Sequence, residues 1–160
     1  MSFPSRDDLI DFVYNEARMI DDGDYDAWLD LWTEDSYYWM PLDYKQDDPH
    51  LVTSLLYEDE FLRKLRVERL KGERTFSQKP KSRCHHVLSR PFVDVMDHDN
   101  GLFVTHTPFH YVETRLDDQF LLAANARHEL VLEDGKLKIR LKRVDLLNCD
   151  AAFGNIQLFL

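Results

Sequence analysis

The chain has 160 residues and a mass of 19.1 kDa, enough for a single domain over 1–160 that buries roughly 70% of the surface its unfolded form exposes. Its net charge of −10 argues against nucleic acid as a partner, because binding to phosphate backbones draws its affinity from lysines and arginines that release counterions. No secretory signal follows Met1 and no apolar run approaches the roughly 20 residues that span a bilayer, so a cytoplasmic protein without a membrane partner is expected.

Ser5 and Asp8 open the first element as a capping pair, and Leu9, Phe12, Val13, Glu16, Ala17 and Ile20 recur at three- and four-residue steps. All but Glu16 form one apolar stripe suited to a sheet, and Gly23 supplies a left-handed stop. A second short helix is predicted over about Tyr25 to Trp32, followed by a strand in SYYWMPL that is buried on both faces. A loop of about 15 residues rich in Asp, Pro and His comes next. Tyr57 to Lys71 then reads as a third helix stopped by Gly72, with Phe61, Leu62, Leu65 and Leu70 inward and Arg63, Lys64, Arg66, Arg69 and Lys71 mostly outward.

Beyond Pro80 the pattern changes to period two. His86, Leu88 and Arg90 alternate with Val87 and Ser89 until Pro91 interrupts and FVDVM resumes, which suits a bulge or an edge. Phe103, Thr105, Thr107, Phe109 and Tyr111 share one face of the next strand, while Leu102, Val104, His106, Pro108, His110 and Val112 share the other. Pro108 cannot donate to a ladder, so a bend or bulge is expected there. Phe120, Leu122, Ala124, Ala126, His128, Leu130 and Leu132 alternate in turn, and Asp134-Gly135 marks a hairpin. In the last strand Leu137, Ile139 and Leu141 are odd-numbered but Val144 and Leu146 are even, so a one-residue bulge near Lys142 or Arg143 is expected. Helices followed by a curved, mostly antiparallel sheet make an α+β domain.

The charge is bipolar: residues 1 to 60 hold 17 Asp and Glu against 3 Lys and Arg, whereas residues 61 to 90 hold 10 Lys and Arg against 2 Glu. Opposite faces of this kind steer assembly and fix register. Cys84 and Cys149 are too few and too far apart for a disulfide framework or a four-cysteine metal site, and read as buried packing thiols. On a strand His106 and His110 lie roughly 13 Å apart, too far to share a metal unless Pro108 folds the chain, although His128 could join them from the next strand on the concave face. Hydrogen-bonded core or interface histidines are the simpler reading. Asp35, Tyr37, Tyr57, His86, His106, His110 and His128 are the candidates for a general acid/base set if the interior is an active site. Against that stands interior bulk, in Trp28, Trp32, Trp39, Phe103, Phe109, Tyr111 and Phe120, that looks sufficient to fill a small cone.

FVYNEARMIDDGDYDAWLDLWTEDSYYWMPL, YEDEFLRKLRVERLKG, KPKSRCHHVLSRPFV and KIRLKRVDLLNCDAAFGNIQLFL occur in an order that resembles the small (beta) subunits of bacterial aromatic-ring-hydroxylating dioxygenases. The resemblance implies a cone-shaped roll of the nuclear-transport-factor-2-like (cystatin-like) class and a non-catalytic subunit of a hetero-oligomer in aromatic hydrocarbon catabolism. In that family a homotrimer of beta subunits supports three alpha subunits, which carry the Rieske 2Fe-2S centre, the mononuclear non-haem iron and most of the substrate pocket. Electrons come from NAD(P)H and both atoms of O2 enter the ring. No catalytic, cofactor or metal residue is then expected in this chain. Contacts are expected from Arg63, Arg66, Arg69, Arg74 and Arg83, from Tyr37 and Trp39, and from Leu158 and Phe159 near the carboxy end. Gln78-Lys79-Pro80-Lys81 and Cys149-Asp150 depart from the common family pattern. The alternative is a self-contained isomerase, dehydratase or cyclase of the same fold, using the Asp/His/Tyr set in the cone.

Overall fold

The computed structural model describes residues 2–72, 81–149 and 158–160. Helix α1 (Arg6–Asp21) starts at a complete capping box: Ser5 Oγ accepts from the Asp8 N–H, and the Ser5 N–H donates to the Asp8 carboxylate at 2.7 Å. It ends where Gly23 takes φ +71° and the Asp24 N–H reaches back to the Met19 carbonyl at 2.9 Å, a conformation in which a Cβ would be strained. The predicted stripe is buried except for the half-buried Phe12, with Glu16 buried in line with it. Helix α2 (Tyr25–Leu29) stops three residues short of Trp32. The Leu31 carbonyl is taken at 2.7 Å by the N–H of Ile139, so the chain there already belongs to the sheet.

Strand β1 (Trp32–Pro41) is longer than the predicted SYYWMPL and buries Tyr38 and Met40 on one face and Trp39 on the other. Strand β2 (Ser54–Glu58) replaces the end of the expected loop and the start of the expected third helix, pairing antiparallel with β1 through Tyr38–Glu58, Trp39–Tyr57 and Met40–Leu56. The β-branched and aromatic signal in SLLYE is slight, and only cross-strand pairing makes it a strand. Asp59 then caps α3 (Glu60–Lys71), accepting from the Leu62 N–H at 2.9 Å.

The faces of α3 differ in part from those expected: Leu70 is inward and Lys64, Arg69 and Lys71 are outward as read, but Arg63 exchanges places with Phe61, Leu62 and Leu65. Its buried residues are Arg63, Val67 and Leu70, while Phe61, Leu62 and Leu65 are 70%, 42% and 48% exposed. Positions 63, 67 and 70 form a regular helical stripe in which an arginine takes a core position.

The remaining strands are β3 (Arg83–Leu88), β4 (Phe92–Asp97), β5 (Leu102–Arg115), β6 (Asp118–Glu133) and β7 (Lys136–Leu146). They form a curved open sheet in the order β2-β1-β7-β6-β5-β3, with β4 also on β5 and only β1–β7 parallel. Strands β3 and β4 share one edge of β5, interrupted around Pro91 and with a bulge at Asp94. No bulge occurs at Pro108, whose pairing to Asn125 continues the β5–β6 register. Its carbonyl accepts from the Ser89 N–H at 3.0 Å, so its nitrogen faces the gap between β3 and β4, where no donor is required. Asp134 and Gly135, both at positive φ, form the predicted hairpin. The parity switch in β7 is a bulge at Arg140, between the Leu130–Ile139 and Glu129–Leu141 pairs, two residues earlier than expected.

This bulge turns Lys142 inward. Its Nζ contacts Glu16 Oε1 at 2.5 Å and His128 Nε2 meets the same oxygen at 3.2 Å, all three residues being 3% exposed or less. Helix α1 is thereby fastened to β6 and β7 by a buried ion pair and an imidazole, within a core of Trp28, Tyr38, Phe103, Phe109, Tyr111, Leu130 and Ile139. Removing one member leaves an uncompensated buried charge. Lys142→Met is therefore expected to lower stability by about 3–5 kcal/mol in urea unfolding. Glu16→Gln combined with Lys142→Met should recover part of that loss by removing the stranded carboxylate; a Lys142→Met protein as stable as the parent would contradict the assignment.

Candidate functional site

Arg63 organises the base of α3. Its guanidinium lies 4.1 Å from the Trp32 ring centroid, donates at 3.0 Å to the carbonyls of Ser36 and Glu58, and also donates to Ser36 Oγ. It is fully buried, so the expectation that it presents to a partner is corrected: it ties α3 to β1 and β2. Arg66 packs its guanidinium 5.4 Å from the Phe159 ring and forms a two-nitrogen pair with Glu58, leaving its side chain 15% exposed.

Three more of the expected contact residues are interior. Trp39 donates its indole N–H to Ser54 Oγ at 2.9 Å and carries Arg143 over its face at 4.5 Å. Arg143 holds the loop after β1 through the carbonyls of Gln46 and Tyr44. Leu158 and Phe159 are buried, with Phe159 4.2 Å from Trp28 and the following Leu160 N–H donating to the Tyr38 hydroxyl at 3.1 Å. Tyr37 is exposed and stacks parallel on Tyr57 at 4.5 Å; Arg69 and Arg83 are exposed; Arg74 lies outside the described residues.

The sequence reading missed the outward row of Phe61, Leu62 and Leu65. The available signal was the 63-67-70 spacing, which an assignment by polarity alone overrides. A row of large apolar side chains on one helix face is the kind of exposed patch that marks an interaction site. Lys64 pairs with Glu60 beside it at 2.6 Å, and Arg69 lies at its far end.

The histidines do not gather on the concave face. His106 and His110 project outward from β5, whereas His128 projects inward, paired in register with the buried Thr105. His106 contacts Asp94 at 2.6 Å and stacks on Phe92. His86 contacts Asp21 at 2.6 Å through Nδ1 and donates its backbone N–H to the same carboxylate at 2.9 Å. Asp35 is exposed and accepts from the Thr33 hydroxyl at 2.8 Å. Phe120 is 41% exposed and does not help fill the cone. A cavity between α1 and the sheet, bordered by Glu16, His86, Thr107, His128 and Lys142, leaves only about 10 Å³ for the centre of a water-sized sphere.

The electrostatics hold these groups in fixed states. Burial alone would raise the Glu16 carboxyl, but the Lys142 ammonium and then His128 overcome it and hold it at about 2. Burial pushes His128 down against the pull of Glu16, so it is neutral. Burial, reinforced by Asp21, raises the Cys84 thiol to about 12, which makes it a poor nucleophile and metal ligand.

The family model for the ring hydroxylating beta subunit matches residues 15–151. The chain belongs to this family. It is 29% identical over 149 residues to the 2-halobenzoate 1,2-dioxygenase small subunit of Burkholderia cepacia, covering 88% of this chain and 87% of that one. It is 33% identical to the benzoate 1,2-dioxygenase subunit beta of Acinetobacter baylyi over 106 residues, 63% of this chain and 61% of that one. The crystal structure of the benzoate 1,2-dioxygenase beta subunit from Burkholderia mallei superposes with a TM-score of 0.76 at 28% identity, covering 92% of this chain and 94% of that chain. As a dioxygenase beta subunit the chain is part of an oxidoreductase complex and has the nuclear-transport-factor-2-like fold.

Neither cysteine is placed as a metal ligand. Cys84 is a protonated thiol beside Asp21, and Cys149 is packed in the apolar core. Among the described residues no group of three His, Cys, Asp or Glu is placed to hold a metal ion.

Both interior shifts act in the same direction on stability. The folded His128 titrates below its ordinary 6.5, so the unfolded chain takes up that proton first and stability is lost as pH falls below about 6.5. Glu16 adds a second loss as pH falls from its ordinary 4.5 toward about 2. Urea midpoints should therefore drop between pH 7 and 5 and again below 4.5, with His128→Gln flattening the first step; a midpoint constant from pH 7 to 4 would contradict this.

Proposed function

We propose that this chain is the structural, redox-silent beta subunit of an aromatic-ring-hydroxylating dioxygenase, forming a cytoplasmic homotrimeric base for three alpha subunits. The alpha subunits carry the Rieske 2Fe-2S centre and the mononuclear iron, and supply the oxidative chemistry. This chain contributes rigidity: it holds neighbouring alpha subunits so that centres on different chains stay within electron-transfer reach, and a packed scaffold serves that purpose better than a flexible one. Nucleic acid and membranes have no part in this reading.

The observation that carries it is the outward apolar row on α3. Family membership supplies an alpha subunit as the partner, and the helix commits Arg63 to the interior while Phe61, Leu62 and Leu65 face outward. With Tyr37, Tyr57, Arg69 and Arg83, this row is the proposed alpha-subunit contact, an apolar centre with arginine at its rim. The packing around His86 and His128 supports the same view. The cavity they border, about 10 Å³, admits no aromatic substrate, and the carboxylates beside the two rings are already engaged. The halobenzoate and benzoate dioxygenase subunits among the relatives support an aromatic carboxylate as the substrate class of the assembled enzyme.

Coexpression with a Rieske-type alpha subunit tests the contact. A defined hetero-oligomer is expected by sizing with light scattering. Phe61→Asp with Leu65→Asp should leave the fold intact by circular dichroism, because both residues are exposed, and abolish co-purification. Arg66→Glu is unsuitable for this test, because it would set a carboxylate against Glu58. An unchanged hetero-oligomer in the double variant would remove α3 from the contact, and loss of beta self-association alone would reassign the face to contacts between copies.

A further inference from the structure

The small cavity under α1 has a hydrogen-bonding deficit of a definite kind, independent of the subunit's role. His86 Nδ1 and His128 Nε2 are each engaged by a carboxylate, of Asp21 and Glu16. A carboxylate only accepts, so each ring donates from the engaged nitrogen, and in a neutral imidazole the other nitrogen is then a bare acceptor. Those other atoms, His86 Nε2 and His128 Nδ1, are buried without a protein partner, as is the Thr107 hydroxyl oxygen. Both imidazole side chains are 2% exposed, and all three residues border the cavity.

Two bare acceptors cannot satisfy one another, and the threonine hydroxyl has one proton to give. The cavity calls for a guest that donates twice and accepts at least once. Its size, about 10 Å³ for the centre of a water-sized sphere, suits one water and excludes a larger molecule. We propose that this cavity is a specific site for a single water molecule, which donates to the imidazole nitrogens that face it and exchanges a hydrogen bond with Thr107. Bound there, the water joins the Asp21–His86 contact at the sheet edge to the Glu16–His128–Lys142 contact at its centre, so α1 is secured at two places through one network. It also occupies the imidazole nitrogens that would otherwise be free to move protons.

A crystal structure at high resolution should show a water oxygen within hydrogen-bond distance, about 3.2 Å or less, of at least two of the three atoms. In solution, the labelled wild-type chain should give water cross-relaxation to the Thr107 and Ala126 methyl groups with the sign of a long-lived bound molecule. Thr107→Val, which keeps the shape and removes the hydroxyl, should lose the Ala126 cross-peak, and Thr107→Ser should retain it. Absence of both density and cross-peaks in the wild type overturns the proposal, as does a folded Thr107→Val protein whose cross-peak is unchanged. If Thr107→Val does not fold, the wild-type measurements decide alone.

Discussion

The structure depends on a charge that has nowhere else to go. Glu16 lies on the face of α1 that must be buried, and an isolated carboxylate there would cost several kcal/mol. Lys142, turned inward by the Arg140 bulge, supplies the opposite charge, and His128 satisfies the same oxygen from the neighbouring strand. None of the three can be solvated where it stands, so helix position, strand register and bulge have to agree. A one-residue slip in β7 would send Lys142 to the outer face and strand the carboxylate. The trio thus selects one packing of helix on sheet, a role for which buried ion pairs are better suited than for net stability.

Arg63 imposes the same logic on the other side of the cone. Once its guanidinium is seated on Trp32 and bonded to the carbonyls of Ser36 and Glu58, the rotation of α3 is set: Val67 and Leu70 face in with it, and Phe61, Leu62 and Leu65 face out. A protein that worked alone would gain by burying Phe61 and Leu65 instead. A subunit that spends its apolar surface on a partner has reason for this arrangement, because the exposed row adds little to the monomer and is available for association.

How much was legible in the sequence follows from which forces are local. The capping box at Ser5, the Gly23 stop and the Asp134-Gly135 hairpin depend on a few consecutive residues, and all stand as read. The parity switch of β7 was visible because strand periodicity is strict, although the bulge itself is at Arg140. Strand β2 and the orientation of α3 were not legible, because both are decided by β1, a distant segment. The same holds for the candidate site. Tyr37, Arg69 and Arg83 are at the surface, but polarity alone could not reveal that Arg63 has Trp32 for a neighbour or that Trp39, Leu158 and Phe159 are enclosed. Glu16 was recognised as the exception in an apolar stripe, but its partners lie more than a hundred residues away.

The molecule divides its labour: interior groups that could do chemistry are tied to one another, and the surface carries apolar groups with no role inside the chain. The most direct measurement compares the purified chain with the reconstituted alpha–beta complex for bound iron and for oxygen-dependent turnover of an aromatic carboxylate in the presence of reductant. The account predicts iron and turnover in the complex and neither in the isolated chain. Tightly held iron, or product formed by this chain alone, would contradict it.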